Sequence, residues 1–137
     1  MLPKDVTASG PNTAPVITSN GGGATASVSV AENTSAVTSV TATDTDLPAQ
    51  TLTYSISGGA DQALLSVDAS SGVLSFVSAP DYEAPTDTGG NNVYDVTVQV
   101  SDGNGGTDSQ AIAVAIINVN EAPVIGNLSG RQSPTPG

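Results

Sequence analysis

The chain has no cysteine, no histidine and no tryptophan. Without cysteine there is neither a disulfide nor a thiolate metal site. Without histidine there is no imidazole to act as base or ligand. Aromatic residues are scarce, three Tyr and one Phe in 137 residues, so a core must be built from Val, Ile, Leu and Ala. Positive charge is nearly absent as well. Thirteen acidic residues face only Lys4 and Arg131, for a net charge of −11. Both cations lie near the ends, so no carboxylate of the central region can be neutralised by an ion pair within its own domain. Such a surface repels nucleic acid and anionic membranes and suits a divalent cation or simple solubility. No run of about eighteen apolar residues occurs, so nothing is expected to insert into a membrane. Met1-Leu2-Pro3-Lys4 lacks the apolar stretch of a signal peptide.

What is present begins with a repeated junction. Asn12-Thr13-Ala14-Pro15-Val16-Ile17 is echoed by Asn120-Glu121-Ala122-Pro123-Val124-Ile125, with the two prolines 108 positions apart. One domain fits that interval, and the expectation is one repeat of a tandem array carrying a junction at each end. Residues 1–14 read as a tail and upstream linker, 15–119 as the domain, and 120–137 as the downstream linker and tail.

Between the junctions the pattern is that of strands. Val16 to Ser19 and Ala26 to Ala31 read as one strand split by Asn20-Gly21-Gly22-Gly23. Ser35 to Thr43, Thr51 to Ser57, Leu64 to Val67 and Val73 to Val77 follow. Val93 to Ser101 alternates most cleanly, with Tyr94, Val96, Val98 and Val100 on one face. Asp102-Gly103-Asn104-Gly105-Gly106 is a hairpin turn, and Thr107 to Val119 is the last strand. About seven strands and no helix predict an all-β fold, a seven-stranded Greek-key β-sandwich of immunoglobulin-like form.

Oxygen-bearing side chains gather at strand ends. Asp44, Asp46 and Asp102, with Asn12, are placed where the chain enters. Glu32, Asp81 and Glu83, with Asn118, Asn120 and Glu121, are placed where it leaves. Asp-x-Asp and Asp-x-Glu put two carboxylates on one side of an extended segment. A calcium ion takes about 6–8 such oxygens, and without a cation these like charges would be crowded with nothing to relieve them. Turn chemistry alone also favours Asp and Asn in loops, but it does not ask for two clusters at opposite ends.

The motifs, taken in order, resemble a cadherin repeat in its bacterial cadherin-like form. Val30-Ala31-Glu32-Asn33, Thr43-Asp44-Thr45-Asp46, the turn from Asp68 to Gly72, Pro80-Asp81-Tyr82-Glu83, Ser101-Asp102-Gly103 and Asn118-Val119-Asn120-Glu121-Ala122-Pro123 each resemble a family motif. The resemblance covers about Asn12 to Val124. It implies an extracellular array, secreted or at a bacterial cell surface, stiffened by calcium. Each interdomain site would draw Glu32-, Asp81- and Glu83-type ligands and the linker from one repeat. Asp44-, Asp46- and Asp102-type ligands would come from the next. Asn118 stands where the family has a first Asp, and the linker is one residue short, so three ions per junction are not implied.

The function expected is a calcium-binding module that rigidifies a tandem array for adhesion. Its partners would be neighbouring repeats of the same chain, like domains on other cells, or polysaccharide. The alternative is a carbohydrate-binding module, for which Tyr82 is the one aromatic not assigned to a buried face. A third reading is an inert acidic spacer. Enzyme chemistry is not expected. Asp81 and Glu83 sit two apart in one loop with no cleft between them, unlike a glycosidase pair, and no cation is at hand to stabilise an oxyanion.

Overall fold

The computed structural model describes residues 11–120 of the chain. Nine strand segments are joined by turns and a single 3-10 turn, Gln62–Leu64. They are β1 (Val16–Ile17), β2 (Thr25–Ala31), β3 (Ala36–Ser39), β4 (Ala42–Thr43), β5 (Thr53–Gly58), β6 (Leu65–Val67), β7 (Val73–Phe76), β8 (Val93–Ser101) and β9 (Thr107–Ile117). One sheet has the order β2-β9-β8-β5 and a second the order β3-β7-β6, while β1 pairs with β4. Only β2 and β9 run parallel; the remaining pairs are antiparallel. The two larger sheets face each other as an immunoglobulin-like sandwich.

Register follows from the alternation in β8. Tyr94, Val96, Val98 and Val100 are each no more than 1% exposed, and each such burial contributes about 1.5–3 kcal/mol. A one-residue slip would replace them with Asp95, Thr97 and Gln99, so the register is strongly specified. From the other strands, Val30, Tyr54, Ile112, Val114 and Ile116 close the same sheet's inner face, with Leu65, Leu74 and Phe76 opposite. The rings of Phe76 and Tyr94 meet edge to face at 5.0 Å.

The split first strand has a clear cause. Asn20, Gly21 and Gly22 all have positive φ, at 53°, 86° and 75°, which carries the chain from one sheet to the other. The fully buried Gln110 on β9 holds this crossing in place. Its Nε2 donates to the carbonyls of Ser19 (3.1 Å) and Gly23 (3.0 Å), and its Oε1 accepts from Asn20.

The expected strand from Ser35 to Thr43 is instead two segments. Val40 leaves the register of β3 with β7 and donates its N–H to Gly72 O at 2.8 Å. Gly72, at φ 75°, lies so close to Val40 O that any Cβ would collide with it. Beyond that point the chain pairs with β1. Leu64 belongs to the 3-10 turn rather than to β6. Strand β9 stops at Ile117, two residues short of the expected Val119, whose N–H donates instead to the carboxylate of Glu32 just past β2.

The pairing separates two ends of the molecule. At one end Thr107 lies opposite Ser101. At the other Ile117 lies beside Ala31. The intervening strand is about 33 Å long at 3.3 Å per residue.

Candidate metal centres

The front end is where residues 12–15 enter. Pro15 is fully buried, and Ile17 donates its N–H to Asp108 Oδ2 at 2.8 Å, so the entering segment is tied to β9. Gly106 makes room for it: a Cβ there would lie 2.8 Å from Ala14 Cα. Asn12 is thereby brought to Asp102, its Nδ2 donating to Oδ2 at 2.9 Å.

Asp44 and Asp46 follow β4, and Asp102 follows β8. A carboxylate oxygen from each lies within 4.8 Å of the others. Asp102 is 3% exposed. Its Oδ1 accepts from the N–H groups of Asn104 (2.8 Å) and Gly106 (3.0 Å). Burial opposes ionisation of Asp102, but the Asn104 N–H, the Asn12 amide and the Gly106 N–H more than offset it. Together they hold its carboxyl below the ordinary carboxylate range. Asp44 Oδ1 accepts from Asp46 N–H at 2.8 Å, and Asp46 Oδ2 from Thr13 N–H at 2.8 Å.

One more residue reaches this site, from the irregular segment between β4 and β5. The carboxamide of Gln50 lies against Asp44, Asp46, Asn12 and Asn104. With Nε2 donating to Asn12 Oδ1 at 2.8 Å, its Oε1 stands 2.8 Å from Asp44 Oδ2 and 3.2 Å from Asp46 Oδ2, acceptor against acceptor. Turning the amide over satisfies both carboxylates and Asn104 Nδ2 (2.9 Å), but leaves Gln50 Oε1 2.8 Å from Asn12 Oδ1. Turning Asn12 over as well moves the conflict to Asp102 Oδ2. No seating of these two amides makes every close contact a hydrogen bond. Nε2 towards Asp44 and Asp46, with Oε1 accepting from Asn104, is the seating of Gln50 that makes the most hydrogen bonds. The signal for Gln50 in the sequence was a carboxamide closing an acidic loop in a region without Lys or Arg.

The rear end gathers Glu32, Asp81 and Glu83, again with carboxylate oxygens within 4.8 Å of one another. Glu32 follows β2 and is 2% exposed. Its N–H donates to Ile117 O at 3.1 Å. Its carboxylate accepts from Tyr82 N–H (3.2 Å) and Val119 N–H (3.5 Å). Asn33 N–H donates to Pro80 O at 2.8 Å, which brings the loop carrying Asp81 to the end of β2. Asp81 Oδ1 accepts Glu83 N–H at 3.0 Å. Asn118 and Asn120 flank Val119 at this end, with exposed side chains. Glu121 lies outside the described residues.

Both donor sets consist of oxygen alone, with carboxylates prominent and amide oxygens in reach at the front. That composition fits a hard divalent cation such as calcium. Of the four aromatic side chains, Tyr54, Tyr94 and Phe76 are buried and Tyr82 is exposed. Among the described residues, no helix is long and apolar enough to cross a membrane.

The Cadherin domain family matches residues 26–120. Among solved structures, the extracellular cadherin domains 3-6 of Protocadherin Gamma B2 share 25% identity at a TM-score of 0.60, covering 75% of this chain and 24% of that one. Human Protocadherin-24 EC1-2 shares 26% identity at a TM-score of 0.59, with 78% and 44% covered. Drosophila N-cadherin EC1-4 shares 18% at a TM-score of 0.59, with 77% and 25% covered, a likeness of fold alone. The chain thus spans about a quarter of the length of the first of these structures. No curated protein matches it.

Proposed function

The chain belongs to the cadherin family, whose fold is that of extracellular adhesion-type repeats, and we propose that its domain, residues 15–119, is a calcium-binding repeat of a tandem array. In this reading the front site takes one cation through Asp44, Asp46 and Asp102, with Asn12 at its edge. Glu32, Asp81 and Glu83, with Asn118, Asn120 and Glu121, form the half-site offered to a following repeat. Bound calcium would supply positive charge where the chain has none of its own. The residues' part is to hold oxygens in place: Asn104 and Gly106 fix Asp102, Thr13 fixes Asp46, and the Tyr82 and Val119 N–H groups fix Glu32. The array would serve adhesion at the cell surface or in a secreted protein, and its partners would be the neighbouring repeats.

The observation that carries this reading is the convergence of Asp44, Asp46 and Asp102, whose carboxylate oxygens lie within 4.8 Å of one another. Turn chemistry explains acidic loops, but it does not bring three carboxylates from separate strand ends together among described residues that include no Lys or Arg. The test is thermal melting with EDTA and with calcium. At a hundredfold excess over Kd, a ligand stabilises by about 2.7 kcal/mol, a rise of about 10 °C or more in Tm for a domain of this size. Asp44→Ala or Asp46→Ala should abolish most of that rise. No response at millimolar calcium, by melting or by calorimetry, would overturn it. The carbohydrate alternative has one exposed ring to work with, Tyr82; retention on insoluble polysaccharide that Tyr82→Ala abolishes would favour it instead.

A further inference from the structure

Two Asn-Gly pairs occur in the chain, Asn20-Gly21 and Asn104-Gly105. Asparagine is a thermolabile residue, and most so before glycine, which sets no Cβ beside its own nitrogen. The fold treats the two pairs differently. Asn20 sits in the crossing from β1 to β2, and both ends of its carboxamide are held. Its Nδ2 donates to Gln110 Oε1 at 3.3 Å, and its Oδ1 accepts from Thr38 Oγ1 at 3.1 Å. Gln110 is fully buried and is itself fixed by the carbonyls of Ser19 and Gly23. Swinging the Asn20 side chain towards the nitrogen of Gly21 breaks both bonds.

Asn104 lies in the turn between β8 and β9, and it is exposed. Three N–H groups of that turn are taken. Gly103 donates to Ser101 Oγ at 3.1 Å, and Asn104 and Gly106 donate to Asp102 Oδ1 at 2.8 and 3.0 Å. The N–H of Gly105 has no partner among the described residues. Gly105 has a φ of 95°, and a Cβ there would meet nothing within 4 Å, so the space around it is open. The Asn104 carboxamide is held through Nδ2 alone, 3.3 Å from Asp102 O and 2.9 Å from Gln50 Oε1.

We propose that Asn104 is a site of covalent modification, converted to aspartate or isoaspartate through the free nitrogen of Gly105, with water as co-reactant. Hydroxide takes the proton of Gly105 N–H, and the nitrogen attacks Asn104 Cγ. The new N–C bond closes a succinimide ring. The Cγ–Nδ2 bond breaks, and Nδ2 takes up a proton from water and leaves as ammonia. Water then opens the ring at either carbonyl. One opening restores the backbone with an aspartate; the other routes it through the side chain as isoaspartate. The sum is one water consumed and one ammonia released, with no change of oxidation state.

The consequence is local and does not depend on the calcium reading. The atom that was Nδ2 becomes an oxygen facing Asp102 O and Gln50 Oε1, acceptor against acceptor. A negative charge is added next to Asp102, with no Lys or Arg among the described residues to offset it. The turn between β8 and β9 therefore loosens as the chain ages.

The test is incubation of the 137-residue chain in EDTA at mildly alkaline pH, with both Asn-Gly peptides followed by mass spectrometry. Asn104 should convert about tenfold faster than Asn20, or more, since Asn20 must first open two bonds to fixed partners. In urea the two rates should converge, because the difference belongs to the fold and not to the dipeptide. Asn104→Ser should remove the fast conversion and leave the slow one. Asn104→Asp should melt below wild type in EDTA, and aged wild type should drift towards it. No conversion in the native chain, equal rates, a faster Asn20, or a gap that survives in urea would each overturn the proposal. An Asn104→Asp chain that melts with wild type would overturn the loosening of the turn.

Discussion

Asp61 shows how a single buried carboxylate can hold a long loop without any metal. It is 4% exposed and sits just before the 3-10 turn. Its Oδ1 accepts from Thr88 N–H and Thr88 Oγ1, and its Oδ2 from Asp95 N–H at 2.9 Å. It therefore ties the loop between β7 and β8 to β8 itself. Burial works against the charged form, but the Asp95 and Thr88 donors outweigh it and hold the carboxyl below its ordinary value of 3.8. A depressed folded pKa means that the stabilisation is complete above the unfolded value and is lost as pH falls through the folded one. Asp61→Ala should cost about 1–3 kcal/mol, since it removes the acceptor of three part-buried donor bonds. It should also flatten the fall of Tm with pH below about 3.8, measured in EDTA so that the metal sites do not contribute. An unchanged acid limb in the variant would assign that slope to other carboxylates.

Among the elements, the crossing from β1 to β2 depends on one side chain contributed by a distant strand. Gln110 alternates into the core like its apolar neighbours Ile112 and Val114, yet it spends both of its N–H donors on the carbonyls of Ser19 and Gly23. Gln110→Ala should lower stability by about 2–3 kcal/mol through those carbonyls, read as a lower urea midpoint at unchanged slope. Thr97→Ala, on the outward face of β8, should stay within about 0.5 kcal/mol. The split itself was legible, because Asn20-Gly21-Gly22-Gly23 is punctuation of the first rank. The boundaries of β8 were legible because alternation over nine residues has one solution. The break after Ser39 was not, since it is imposed by Gly72 from across the sheet and leaves no local mark in a Val- and Thr-rich run. Gln50 was hidden for a similar reason. Asp44, Asp46 and Asp102 could be grouped from where their strands end, whereas Gln50 reaches them only through the course of an irregular loop. Gln110 could be read as inward-facing but not as a staple.

For the whole molecule, the decisive property is that the two acidic ends are unequal. The front site can draw on Asp44, Asp46, Asp102, Asn12 and Gln50 within one domain, while the rear cluster holds three carboxylates and the exposed Asn118 and Asn120. Calcium asks for about 6–8 oxygens, so the rear cluster falls further short and should gain most from a following copy. A two-repeat chain joined through residues 118–125 tests this. Calcium should raise the Tm of the single domain mainly through the front site, so Glu83→Ala should change that rise little and Asp46→Ala should remove most of it. In the two-repeat chain the order changes at the junction. Glu83→Ala in the first copy and Asp46→Ala in the second should damage the same shared site, and their effects should be less than additive because each removes ligands of one ion. Small-angle scattering should show the wild-type pair extended and narrow in its distance distribution with calcium, and broad in EDTA. Either junction variant should leave it broad in both. If the two substitutions instead act independently, or if EDTA leaves the distribution unchanged, then each end keeps its own ions and the array owes its stiffness to something other than a shared site.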